Sequence, residues 1–397
     1  MKSFVNALHL FIKNTDKVLL ALCLVASGFG LVVVHSATLN SISEMQIISR
    51  ELLVMIVSIS IGLVLCFVIS LIEYEAIVKM WPIFASVCLL LMFSLFIWGV
   101  APANRSDARS WLNFFGVYFQ PSELLKVGFI LTFALHLDTV KANINHFKNI
   151  LLLGLHGAVP IVLVVATGDL GSALVFVTVF IGMLFVAGLN LRYFAGGLAF
   201  VLAALPMLWI KFFSGFQKDR FLAIYFPELL SVPVYKALIY QQQQSVNAIG
   251  SGQLLGKGLF KGIFTQNNLI PVDESDMIFA VIGEELGFIG CTAAMLLLAF
   301  IILRIVSTGY KSKDNIGGSI SYGIAMLIGA QAIINIGVCL KLLPCIGITL
   351  PFISAGGSSN LCVYIGIGVV MSIYRASREI KPVNFRLSHI RTPFSEI

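Results

Sequence analysis

Only 11% of this chain's residues are charged, so the places where it could do chemistry are few. The densest runs from Ile270 to Gly290. There Asp273, Glu274 and Asp276 open directly into the apolar run Met277 to Ile289, which itself carries Glu284 and Glu285. A charged group within a membrane-length segment costs roughly 2.5–3.5 kcal/mol on insertion scales, which makes such residues functional candidates. On a helix, Asp276 and Glu284 would stand about 12 Å apart along the axis and about 80° round it. A double displacement at a sugar needs two carboxylates about 5 Å apart, so that chemistry is disfavoured. A single displacement needs one general base to deprotonate an attacking hydroxyl, and positive charge on a good leaving group such as pyrophosphate. Asp276 suits the role of base. The competing reading is that Ser275 or Asp276 caps the helix that follows. Glu284 and Glu285 point about 100° apart on a helix, so at most one shares a cavity with Asp276. Glu284 is taken as a supporting or gating group, and Asp273, Glu274 and Glu285 as solvated or structural.

Other polar groups are scattered through the sequence. Arg105, Asp107, Arg109 and Trp111 precede an amphipathic patch, Leu112 to Phe119, and then Gln120-Pro121-Ser122-Glu123 and Lys126. Trp111 reads as an interfacial anchor. Glu123 and Lys126 have helical spacing and can neutralise each other within the membrane. Asp169, in Thr167-Gly168-Asp169-Leu170-Gly171-Ser172, either caps the next helix or joins a site. Downstream lie Arg220, the glutamines 241–244, and a glycine-rich run from Gly250 to Gly262 that holds Lys257 and Lys261. Its spacing is wrong for a dinucleotide fingerprint and no strand precedes it, so it reads as flexible backbone at the membrane surface. Pro344 to Asn360, with Pro351 and Ser358, marks a broken or kinked helix start, tolerated at membrane depth only against protein or a cavity.

The elements that must position these groups are transmembrane helices. With 58% hydrophobic residues, the chain is an all-α polytopic membrane protein, not a soluble globule. About 20 apolar residues span the hydrocarbon layer. Ten such runs lie near 18–37, 52–72, 81–100, 122–137, 150–166, 170–189, 193–210, 277–306, 316–340 and 352–374. The segments that would be cytoplasmic with the N-terminus inside carry Lys2, Lys13, Lys17, Lys311, Lys313, Arg375 and Arg378 among others. The short outer loops carry only Arg50, Arg105, Arg109 and Lys341. That bias predicts N-in, C-in, with one long outer loop, about 211–276, between the seventh and eighth spans. The chain reads as one domain, 1–397. Its net charge of +7 is dispersed along loops, which argues against nucleic-acid binding. The seven cysteines lack paired spacing and read as small buried hydrophobes, with contact between Cys339 and Cys345 left open. No zinc-ligand spacing is present.

All the candidate groups fall at the outer end of these spans. One pocket there would hold the carboxylates Asp169 and Asp276, the cations Arg109, Lys126, Arg220 and Lys257, and Gly/Ser backbone that includes Ser358, with Glu123 and Glu284 in support. That mixture suits an anionic head group on a lipid tail.

These residues also carry a resemblance. Ala108-Arg109-Ser110-Trp111 with Gln120 to Lys126, Asp169 to Val175, Gln244 to Gly252, Ser275 to Gly287, and Leu350 to Ser354 through Gly356 to Ser359 occur in the order of the SEDS family. The initials stand for shape, elongation, division and sporulation. Gly256 to Gly262 looks more like the elongation member, RodA, than the division member, FtsW. Gly168, Ser275, Met277 and Ala355 depart from the family's usual residues. The resemblance implies a peptidoglycan glycosyltransferase of the bacterial cytoplasmic membrane that polymerises lipid II beside a class B penicillin-binding protein, with Asp276 as catalytic base. A precursor flippase and a non-catalytic scaffold are the rival readings. No cofactor is required, although a divalent cation, Mg or Mn, could accompany the pyrophosphate.

Overall fold

The computed structural model describes residues 15–41, 48–101, 108–114, 116–211 and 213–378. Arg105, Asp107, Lys2 and Lys13 lie outside them.

Hydrocarbon offers no hydrogen bonds, so a spanning backbone must satisfy itself, and each of the ten apolar runs is helical. The helices are α1 (Lys17–Thr38), α2 (Arg50–Leu71), α3 (Trp81–Trp98), α4 (Pro121–Val140), α5 (Phe147–Ala166), α6 (Leu170–Val186) and α7 (Leu191–Lys211). They continue with α8 (Gly215–Tyr225), α9 (Val232–Gly252), α10 (Ile278–Tyr310), α11 (Asn315–Cys339) and α12 (Gly357–Arg378). Among the described residues eight of these, all but α4, α6, α8 and α9, are long and apolar enough to cross a membrane. Of the two other expected spans, α6 has 17 residues and α4 carries Glu123, Lys126 and Asp138.

Polar side chains close the helix ends. Asp16 accepts from the N–H groups of Val18 and Leu19 at 3.2 and 3.1 Å, and Asp314 accepts from that of Gly317 at 2.8 Å. Each satisfies backbone donors that a helix start leaves open. Asp16 also binds Arg304 at 2.6 Å, which ties α1 to the far end of α10. Of the eight candidate spans α11 and α12 are the most buried, while the apolar stretch of α7 has no buried residue among those described. In the core Tyr364 on α12 shares a hydrogen bond of 2.7 Å with Ser27 on α1.

Three local expectations change. Leu112 to Phe119 is a hairpin, strands β1 (Leu112–Phe114) and β2 (Val117–Phe119), with Leu112 opposite Phe119. The 211–276 segment is largely helical, in α8, α9 and a single turn at Ile263–Gln266. The tenth span begins at Gly357, because 343–356 is irregular apart from a turn.

The main departure concerns α10, which is two helices joined end to end. Gly287 has φ +66°, a left-handed backbone that interrupts the helix. At about 1.5 Å per residue, 288–310 alone is about 35 Å long and suffices to span, while 278–286 is a short half-helix. The glycine-rich run fills the break. The N–H groups of Lys257 and Gly258 donate to the carbonyls of Glu284 and Glu285 at 3.0 and 2.9 Å. In return those of Phe288 and Ile289 donate to Gln253 and Leu254 at 2.9 and 3.2 Å. Backbone must approach backbone there. A Cβ on Gly256, whose φ is +78°, would stand 2.2 Å from the Glu285 carbonyl oxygen. The run expected to be flexible surface backbone is thus pinned into a helix.

Candidate functional site

Asp276 stands just before the half-helix. The residue at the capping position is Met277, which makes no side-chain capping bond, so neither Ser275 nor Asp276 occupies it. The Asp276 side chain is half-buried, whereas every residue from Met277 to Glu285 is buried. Its carbonyl accepts from Asn335 Nδ2 on α11 at 2.8 Å, and the same amide donates to the Ile348 carbonyl at 2.7 Å. Ser354 Oγ donates to the Ser275 carbonyl at 2.7 Å, and the Ala355 N–H to that of Glu274 at 2.9 Å. The base candidate is therefore fastened through its backbone to segment 345–360.

That segment gathers the other motifs. Ser358 Oγ accepts from the Gln120 N–H at 3.0 Å, and Gln120 Nε2 donates to Asp169 Oδ2 at 2.7 Å. Asp169 also caps α6, accepting from the Ser172 N–H at 3.0 Å. One Asp169 oxygen caps α6, as one of the two sequence readings has it, and the other ties the start of α4 to it. Arg220 Nη1 donates to the Cys345 carbonyl at 2.8 Å, with its guanidinium over the Phe216 ring at 4.3 Å. Arg109 is exposed, and its N–H donates to the Thr167 carbonyl at 3.0 Å. All seven cysteines are free, and Cys339 Sγ lies 3.5 Å from the Asp276 carbonyl without bonding to Cys345.

Two expected cations are already engaged. Lys126, 1% exposed, binds Glu123 at 2.6 Å, and Gln331 Nε2 donates to the other Glu123 oxygen at 3.3 Å. Lys257 Nζ lies 3.7 Å from Glu284.

The geometry makes Glu285 structural and not solvated. Glu284 accepts from the N–H groups of Phe264 and Thr265 at 2.8 and 2.9 Å and from Thr265 Oγ1 at 2.8 Å. Glu285 accepts from Ser36 Oγ at 2.7 Å, Gln266 Nε2 at 3.1 Å and the Gly262 N–H at 3.3 Å. Both carboxylates are buried and both hold the same loop, because 256–266 wraps round the helix end and meets side chains 100° apart.

Asp273 is buried as well, with Oδ2 lacking a partner among the described residues. Burial, and then the charge and hydrogen bond of Glu274, push its carboxyl up to about 8. An acid whose folded pKa is raised binds its proton more tightly folded than unfolded. The folded state therefore loses stability as pH rises from about 4 to about 8. Asp273→Asn should flatten that decline, read as the thermal midpoint of purified protein between pH 5 and pH 9; an unchanged slope would refute the assignment.

Comparison with known proteins gives the family. Residues 16–379 match the FtsW/RodA/SpoVE family, described as a cell cycle protein. The chain is 30% identical over 375 residues to the peptidoglycan glycosyltransferase MrdB of Escherichia coli, covering 94% of this chain and 95% of that one. It is 34% identical over 292 residues to a probable peptidoglycan glycosyltransferase FtsW of Geobacter metallireducens, covering 72% and 74%. A chain in a solved peptidoglycan synthase complex, at 24% identity, superposes with a TM-score of 0.76 over 92% of this chain and 99% of its own. With nearly its whole described length matched, the chain belongs to the FtsW/RodA/SpoVE family, the SEDS proteins.

Proposed function

We propose that this multi-pass protein of the bacterial cytoplasmic membrane is a peptidoglycan glycosyltransferase that polymerises lipid II, with Asp276 as general base. Support comes from the names of its relatives and from one observation: a half-buried carboxylate at the head of a doubly anchored half-helix that is buried from Ile278 to Glu285. Asp276 takes the proton from the 4-hydroxyl of the acceptor's GlcNAc. The oxygen attacks the anomeric carbon of the donor's MurNAc with inversion, and the bond to undecaprenyl pyrophosphate breaks with its electron pair leaving on the phosphate. Arg109, exposed, and Arg220, facing the 345 segment, are the cations for that pyrophosphate; Asp169 and Ser358 shape its surroundings. Lys126 and Lys257, engaged in ion pairs, hold Glu123 and Glu284 in place. A Mg or Mn ion would arrive with the pyrophosphate as part of the substrate. The partner is a class B penicillin-binding protein in a shared synthase complex.

Purified full-length protein with its cognate penicillin-binding protein is expected to convert labelled lipid II into glycan strands, and more slowly in EDTA. Movement of lipid II across vesicles with no polymer formed would overturn the reading in favour of a flippase.

A further inference from the structure

We infer that Glu284 is a positioning residue for Asp276, acting through the break in α10 and not on substrate. The inference rests on the assignment of Asp276 as base.

Asp276 and Glu284 terminate the same rigid element. The half-helix between them is buried throughout, so it transmits a displacement at one end to the other as a shift of a rigid rod. At the Asp276 end it is fastened by Asn335 and Ser354. At the Glu284 end there is no continuing helix, because Gly287 breaks the chain direction. The end is held instead by a loop, and Glu284 fixes that loop by receiving three donors from Phe264 and Thr265.

Every one of those contacts needs an acceptor. A carboxylate supplies two acceptor oxygens, whereas the amide of a glutamine would turn an NH2 group against an N–H or hydroxyl donor. The loop would then lose one of its two carboxylate anchors and shift against the half-helix end, while the Glu285 contacts and the backbone bonds of Lys257 and Gly258 keep the fold. A displacement of about 1 Å at a catalytic group costs about a hundredfold in rate.

The test compares Glu284→Gln, Thr265→Val and Asp276→Asn in full-length protein with its penicillin-binding partner, on lipid II across pH. Glu284→Gln is expected to lower kcat about a hundredfold with KM held within about twofold. The acid limb of its kcat profile, which reports the base in the substrate complex, should move. A purely structural lesion would reduce active enzyme without moving that limb. Thr265→Val removes one hydroxyl donor, keeps the carboxylate and should lower kcat about fivefold, the worth of one hydrogen bond. If Glu284→Gln does not purify, the limb of Thr265→Val decides. An unmoved limb and wild-type kcat, with Asp276→Asn inactive, overturn the positioning role and leave the base in place. Wild-type rate in Asp276→Asn overturns both.

Discussion

Asp276→Asn should lower the rate of glycan polymerisation by about 10²–10⁴-fold, the usual contribution of a positioned general base. The substitution is suited to isolating chemistry from structure. What fastens this residue to α11 is its carbonyl, which accepts from Asn335 and is untouched by a change of side chain. Asparagine matches aspartate in size, so the half-buried position neither opens a cavity nor crowds its neighbours. The donor is anionic and the change removes a negative charge, so substrate affinity should hold or improve while kcat falls. That split, measured with purified protein and labelled lipid II, distinguishes a lost base from a lost binding group. Undiminished product would sink the assignment.

The second large effect is on stability. Lys126→Met leaves Glu123 as a buried anion with Gln331 as its remaining polar partner, and the Gln331 oxygen already lacks one among the described residues. Removing one member of a buried ion pair costs about 3–5 kcal/mol, whereas replacing both with apolar or neutral groups is often close to neutral. The single variant should therefore show a markedly lower thermal midpoint and a poor yield of monodisperse protein. Glu123→Gln/Lys126→Met should recover most of the loss. Stability of the single variant equal to wild type would refute the account. Activity of the recovered double variant then reports separately on whether the ammonium is needed for the reaction.

How much of this was legible depends on what leaves a mark in composition. The spanning helices were, because hydrocarbon demands long apolar runs and each expected run coincides with a helix. The outer-end motifs were legible as residues: Gln120, Asp169, Asp276 and Ser358 belong to segments that one bonded chain connects. The break in α10 was hidden. Hydropathy runs unbroken through Gly287, and a single glycine in an apolar stretch is equally at home inside a helix. Its signal was the pair of glutamates just before it, which an unbroken helix could not have satisfied together. Of the two alternatives for Glu285, solvated or structural, the loop makes it structural. The hairpin 112–119 was missed because three-residue strands are too short to show periodicity.

The break also constrains how long the chain can be at that point. The backbone of 253–258 supplies the partners that continuous helix would have supplied to 284–289, so this stretch serves as part of the α10 ladder although it is remote in sequence. A residue inserted between Gln253 and Gly258 would shift its four exchanged hydrogen bonds out of register. The segment between α8 and α9, 226–231, has no such ladder and bears exposed residues at Phe226 and Leu229. Of the two connections flanking α9, one can change length freely and the other is as inextensible as the helix it completes.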